Sequence, residues 1–170
     1  MKKIISVAMC LVLLISFAPI NHVQAKKAKS LPKKVEMTYS SGMGAWYTSV
    51  TVKKNGTFSG GYHDAEGDAT YFSNFTGKFT KIKKVGKKKY TMKMTTLKIA
   101  KSSSKYFVPD PPGVKKGKTY TLYCPGYDSE DLPEEVTKWT KMIGRYVVRD
   151  GKLTAYILCN TKESIYFLTK

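Results

Sequence analysis

The sequence predicts an all-β fold, a small and mainly antiparallel β-barrel of eight or nine strands with one short helix near residues 132–143. Three observations predict it. Short runs rich in Val, Ile, Thr, Tyr and Phe recur between Gly, Asn and Pro turns, several of them alternate apolar and polar residues at period two, and a single stretch carries helical spacing. A length of 170 residues with 42% apolar content accommodates one globular domain and excludes both a multidomain machine and a disordered chain.

The elements follow in order. Met1-Lys2-Lys3 is a positive start, residues 4–20 are apolar apart from Ser6, Ser16 and Pro19, and Val23-Gln24-Ala25 offers small residues at a peptidase site. Residues 1–25 therefore read as a signal peptide, and the protein as secreted, extracellular or associated with the cell envelope. The apolar run falls short of the roughly 20 residues that a spanning helix needs, so no transmembrane segment is expected after cleavage. Cys10 follows Met9 inside the apolar run, which is not the pattern of a lipidated cysteine. Residues 26–34, with five lysines and Pro32, read as a flexible tether, and residues 35–170 as the barrel domain.

From Val35 the strands begin. Residues 46–52 are aromatic and β-branched, and Asn55-Gly56 is a hairpin turn. Strands over 58–62 and 70–75 flank an acidic loop; 77–85 follows and turns at Gly86 into 89–97, where Tyr90, Met92, Met94 and Thr96 share one face. Residues 101–118 hold Pro109, Pro111, Pro112 and Gly113 and read as a surface loop. The strand over 118–124 places Tyr120, Leu122 and Cys124 on one face. Leu132, Val136, Trp139 and Ile143 then recur at helical spacing, with Pro133, Glu134 and Glu135 in the first turn, where the helix dipole favours anions. Residues 145–149, the Asp150-Gly151 turn, 153–159 and 164–169 complete the strands.

Two resemblances attach to these residues. Gly44-Ala45-Trp46 resembles the Gly-x-Trp motif of lipocalins, which implies a calycin-like barrel with Trp46 closing one end against a basic side chain, here Arg145 or Arg149. Residues 38–140 are similar to a family of uncharacterised secreted proteins and lipoproteins of Gram-positive bacteria. The similarity runs through S-G-M-G-A-W, G-T-F-S-G-G-Y-H-D-A-E-G-D, S-N-F-T-G-K-F, Y-T-M-K-M and P-G-Y-D-S-E-D-L-P-E-E-V-T-K-W. That family implies no activity.

The usual nucleotide, zinc and hydrolase signatures are absent, and no cofactor is implied. Tyr62, His63, Asp64, Glu66 and Asp68 form the densest polar group. With Trp46 and Tyr47 they would rim a ligand site; Asp64, Glu66 and Asp68 offer oxygens of the kind that hold Ca²⁺; and His63 beside carboxylates suits acid–base chemistry. A solvated hairpin explains the same residues. Cys124 and Cys159 are either a disulfide or two buried thiols. Five acids, Asp128, Glu130, Asp131, Glu134 and Glu135, gather at the helix start, and capping accounts for most of them.

The net charge is +18. Lys81, Lys83, Lys84, Lys87, Lys88 and Lys89, with Lys78 and Lys93, form a basic hairpin suited to an anionic wall polymer or to keeping a strand edge soluble. All but Arg145 and Arg149 of the 30 basic residues are Lys, which binds phosphate without bidentate selectivity, so sequence-specific nucleic-acid recognition is not expected. The sequence favours a binding protein that holds a small or extended ligand at the open end of the barrel over an envelope interaction protein whose partner is an anionic wall polymer or another protein, and both over a secreted enzyme using His63 and the neighbouring carboxylates.

Overall fold

The computed structural model describes residues 30–40, 45–143 and 147–169; residues 1–25, expected to be a signal peptide, and Gly44, Gly144 and Arg145 lie outside them. Ten strands form: β1 (Val35–Ser40), β2 (Trp46–Val52), β3 (Thr57–Glu66), β4 (Ala69–Gly86), β5 (Lys89–Ile99), β6 (Thr119–Tyr123), β7 (Val148–Arg149), β8 (Lys152–Leu153), β9 (Ile157–Asn160) and β10 (Ile165–Leu168). Eight of them close into an antiparallel barrel in the order β1-β10-β9-β6-β5-β4-β3-β2, while β7 and β8 form a separate hairpin. Neighbours in the barrel follow one another along the chain, apart from the excursion between β6 and β9. That is an up-and-down barrel of the calycin type, with one helix, α1 (Glu134–Ile143), on its outside.

The interior is filled by side chains. Met37, Val50, Val52, Phe58, Phe75, Phe79, Met92, Met94, Tyr120, Leu122, Leu158 and Phe167 are each at most 3% exposed and belong to one cluster. Two strands share a Phe-x-Gly triplet, Phe58-Ser59-Gly60 and Phe75-Thr76-Gly77, and their antiparallel register sets Phe58 opposite Gly77 and Gly60 opposite Phe75. Each ring therefore lies over the other strand's glycine. A Cβ on Gly77 would fall 2.2 Å from Phe58 Cζ, and one on Gly60 2.7 Å from the Phe75 ring.

This exchange explains why β4 runs unbroken for 18 residues where the sequence suggested two strands parted near Gly77. The β4–β5 register slips at three places, beside Lys78, beside Lys81 and near the hairpin tip between Lys84 and Gly86. An extra residue around Thr95 moves the inward set of β5 from Met92 and Met94 to Leu97 and Ile99, so Thr96 leaves the face it was expected to share. On β4, Lys81 has φ 52° beside a second slip, after which Ile82 rather than an odd-numbered residue points inward.

Other expectations are corrected locally. Leu31, within the expected tether, is buried in the barrel cluster, and its N–H donates to the Lys54 carbonyl at 2.7 Å. The Asn55-Gly56 turn is a three-residue one: Gly56 N–H donates back to Lys53 O at 2.9 Å and only Gly56 has positive φ. In contrast, Asp150 and Gly151 both have positive φ, the two-residue form that matches strand twist. The strand expected over 153–159 divides into β8 and β9.

Outside the barrel, Leu132, Val136, Trp139 and Ile143 bring α1 down on Tyr123, Ile157, Cys159 and Tyr166, the outward residues of β6, β9 and β10. Trp139 stacks on Tyr166 with centroids 5.0 Å apart and planes 17° apart. This face of the barrel is dry. No helix among the described residues is long and apolar enough to cross a membrane.

Candidate functional site

Strand alternation divides the residues expected at the ligand site between the two faces of the sheet. Tyr62 to Glu66 are part of β3, not of a loop, and the turn is only Gly67 and Asp68. Trp46, Tyr62 and Asp64 share the inward parity of Val50 and Phe58, while Tyr47 and His63 point outward.

The inward set lies at the barrel end where β2 and β4 start. Trp46 meets Tyr39 edge-on at 5.2 Å and tilts against Tyr62 at 6.4 Å. Tyr62 Oη donates to Asp64 Oδ2 at 2.9 Å, and burial together with that carboxylate pushes the Tyr62 hydroxyl up to about 12. Residues 109–117 cross this end. Thr48 Oγ1 donates to the Pro112 carbonyl at 2.7 Å. Tyr120 Oη donates to Gly113 O and accepts from the Lys115 N–H, both at 3.0 Å. Gly113, with φ 88°, fits where a Cβ would come within 2.8 Å of Tyr39 and 2.9 Å of Phe167. Ser73 Oγ, across from Tyr62, and Asn160 Nδ2 are buried here without a hydrogen-bond partner. The mouth is packed by its own aromatics and loop.

Trp46 does sit at a barrel end, but its described neighbours are tyrosines, not a basic residue. Arg149 is exposed on β7, in the hairpin separate from the barrel.

The outward set forms a row. Tyr47 stands opposite His63, His63 opposite Phe72, and Phe72 opposite Phe107 through a parallel bridge made by Phe72 N–H to Tyr106 O and Val108 N–H to Phe72 O. Four ring side chains thus lie in register across β2, β3, β4 and the loop. At the usual strand separation of about 4.8 Å the row spans about 14 Å. The Tyr47 and His63 rings are 5.2 Å apart and tilted by 31°, and Tyr47 is 39% exposed. Phe72 and Phe107 were not anticipated, although a signal was present. Trp46-Tyr47, Tyr62-His63, Tyr71-Phe72 and Tyr106-Phe107 are four ring doublets, each able to give one ring to the mouth and one to the outer face.

The chemistry expected of the acidic segment is not assembled. His63 and Asp64 are neighbours in sequence but face opposite sides of the sheet, so they make no acid–base pair. Asp64 is inward and bonded to Tyr62, Glu66 is at the strand end and Asp68 in the turn; no group of three His, Cys, Asp or Glu side chains able to hold a metal converges among the described residues. The expected Ca²⁺ site at Asp64, Glu66 and Asp68 is therefore corrected.

The Cys124–Cys159 disulfide is corrected as well. β6 and β9 are neighbours, but Cys159 is opposite Thr121, three residues from Cys124, and the two thiols belong to clusters on opposite faces of the sheet. No bridge can form across that separation. Both cysteines are free and buried, and burial raises Cys124 to about 11 and Cys159 to about 12.

The lysines divide too. β3 ends its pairing with β4 at Lys78, so beyond it β4 has a bare edge on that side, and Lys81, Lys83 and Lys84 stand along it. At the hairpin tip, a cleft of about 230 Å³ separates Lys87, Lys88 and Lys89 from Tyr127, Asp128 and Asp131. Lys89 Nζ lies 5.3 Å from the Tyr123 ring centre. The acidic and basic clusters are therefore neighbours, and the acids oppose anion binding at the tip.

Comparison with protein-family models, curated proteins and solved structures found no match to any of them.

Proposed function

We propose that the protein is a secreted or cell-surface binding module that takes its ligand on the outer face of the barrel sheet, not in the lumen. One observation carries the reading: Tyr47, His63, Phe72 and Phe107 stand in register on a face that no helix among the described residues covers, while side chains fill the interior. Half-buried rings on a rigid sheet are held in place at little further entropic cost, and their free faces suit a ligand with flat apolar surfaces. The reading of residues 1–25 as an export signal supports a module that works outside the cell, with envelope polymers as its accessible partners. Membership of the secreted Gram-positive family rests on the motifs alone.

Two experiments test the reading. Native mass spectrometry of the protein recovered from its producer's medium is expected to give the bare polypeptide mass; a stoichiometric adduct that leaves on denaturation would indicate a lumen carrier instead. Protein mixed with isolated envelopes of the producing cell is expected to sediment, and Tyr47→Ser and Phe72→Ser are expected to remain in the supernatant. Equal sedimentation of all three would contradict a site at the ring row.

A further inference from the structure

The chemistry below the ring row narrows the ligand. Successive outward residues of one strand are about 6.7 Å apart, and the next row down the sheet is Ser49, Gly61 and Asn74, followed by Thr51, Ser59, Thr76 and Lys98, and then by Thr57, Lys78 and Thr96. Gly61 leaves the middle of this floor without a side chain. A shallow cleft of about 490 Å³ lies beside it over the next row, lined by Thr51, Ser59, Gly60, Asn74, Thr76 and Lys98 among others. Ring faces, then exposed hydroxyls and an amide, then lysines follow in order along one direction.

We infer that this face binds an acidic polysaccharide, with sugar rings stacked on Tyr47, His63 and Phe72, hydroxyls met by Ser59, Asn74 and Thr76, and carboxylates met by Lys98 and Lys78. The inference rests on the outer-face reading above and adds the ligand's class. Pyranose rings present flat C–H faces to aromatics and hydroxyl edges to Ser, Thr and Asn, which is the order of groups on the sheet. Charge complementarity favours an anion on the lysine side: Glu36, opposite Thr51 on β1, is the one carboxylate in these rows among the described residues, against Lys98 and Lys78, while Glu66 and Asp68 lie beyond the other end of the ring row. A single-stranded nucleic acid fits less well. The hydroxyl and amide side chains between the rings and Lys98 match a ligand that carries hydroxyls on every ring, which stacked bases do not.

Affinity electrophoresis of the full protein tests this with polygalacturonate, dextran and an oligo-dT strand as probes. Polygalacturonate is expected to retard the protein, with affinity about tenfold lower for Tyr47→Ala and for Phe72→Ala and retained by Tyr47→Phe. Lys98→Gln is expected to weaken binding and to flatten its salt dependence, whereas Lys141→Gln, in the last turn of α1, leaves both unchanged. Unfolding midpoints of the variants exclude a folding defect. Dextran binding that depends on Tyr47 but not on Lys98 would overturn the acidic class and keep the ring row. Oligo-dT binding as tight as polygalacturonate, or polygalacturonate binding indifferent to Tyr47 and Phe72, would overturn the inference; if no probe's binding responds to the ring row, the outer-face reading fails with it.

Discussion

Two parts of the same barrel wall are built alike and finished differently. On β6, β9 and β10 the outward residues are Tyr123, Ile157, Cys159 and Tyr166, and Leu132 together with Val136 and Trp139 of helix α1 covers them. On β2, β3 and β4 the outward rings are Tyr47, His63 and Phe72, and no helix among the described residues covers them. Large side chains on an outer sheet face are ordinary when something packs on them, because covering them removes apolar area from water. The same kind of row left bare, above a floor of small polar residues, is instead a surface with capacity for a partner. The difference separates residues that hold the fold from residues free to bind.

Substitutions sharpen that comparison, beginning with the largest effect. Trp139→Ala removes the stack on Tyr166 and leaves a void under α1, so it is expected to cost about 3 kcal/mol of stability, measured by urea unfolding. Tyr47→Ala, on the bare face, is expected to cost less than about 1 kcal/mol. Equal costs would erase the distinction.

Alkaline pH acts on the covered face and on the interior together. Cys159 lies under α1 and Cys124 in the barrel, both raised above the ordinary thiol value of 9.0. Above pH 9 the unfolded chain releases these protons while the folded chain keeps them, so stability falls as pH rises toward 11. The urea midpoint is expected to drop between pH 8 and pH 10, and less so in a Cys124→Ala, Cys159→Ala variant. Both thiols should also resist a thiol reagent at pH 8 until the protein unfolds.

Tyr120→Phe deletes the hydroxyl that holds Gly113 and Lys115. The expected cost is about 1–2 kcal/mol, with faster hydrogen exchange in 106–117. Because that loop carries Phe107, the outer row should loosen while α1 keeps its protection. Lys81→Gly relieves a positive φ on the bare β4 edge and is expected to stabilise by about 1 kcal/mol.

Much of the fold was legible because strand alternation and turn residues are local signals. The Asp150-Gly151 turn, the helical spacing of Leu132 to Ile143 and the parity of Tyr120, Leu122 and Cys124 all appear in the structure. What sequence could not supply was register. Gly77 looked like a break, yet it is the space that Phe58 fills from the next strand. His63 and Asp64 looked like one site because they adjoin in the chain, and alternation sends them to opposite faces. Cys124 and Cys159 were separated the same way, by one parity and three positions of offset between β6 and β9. The outer row needed pairings across β2, β3, β4 and a loop segment, contacts that no single run of residues encodes.

The most direct test is aromatic NMR of the protein, with ring resonances assigned, during titration with polygalacturonate. Signals of Tyr47, His63, Phe72 and Phe107 are expected to shift together and saturate, while those of Trp139, Tyr123 and Tyr166 under the helix stay fixed. Shifts confined to Trp46, Tyr39 and Tyr62 in the barrel mouth, or spread equally over both faces, would contradict a binding surface on the bare sheet.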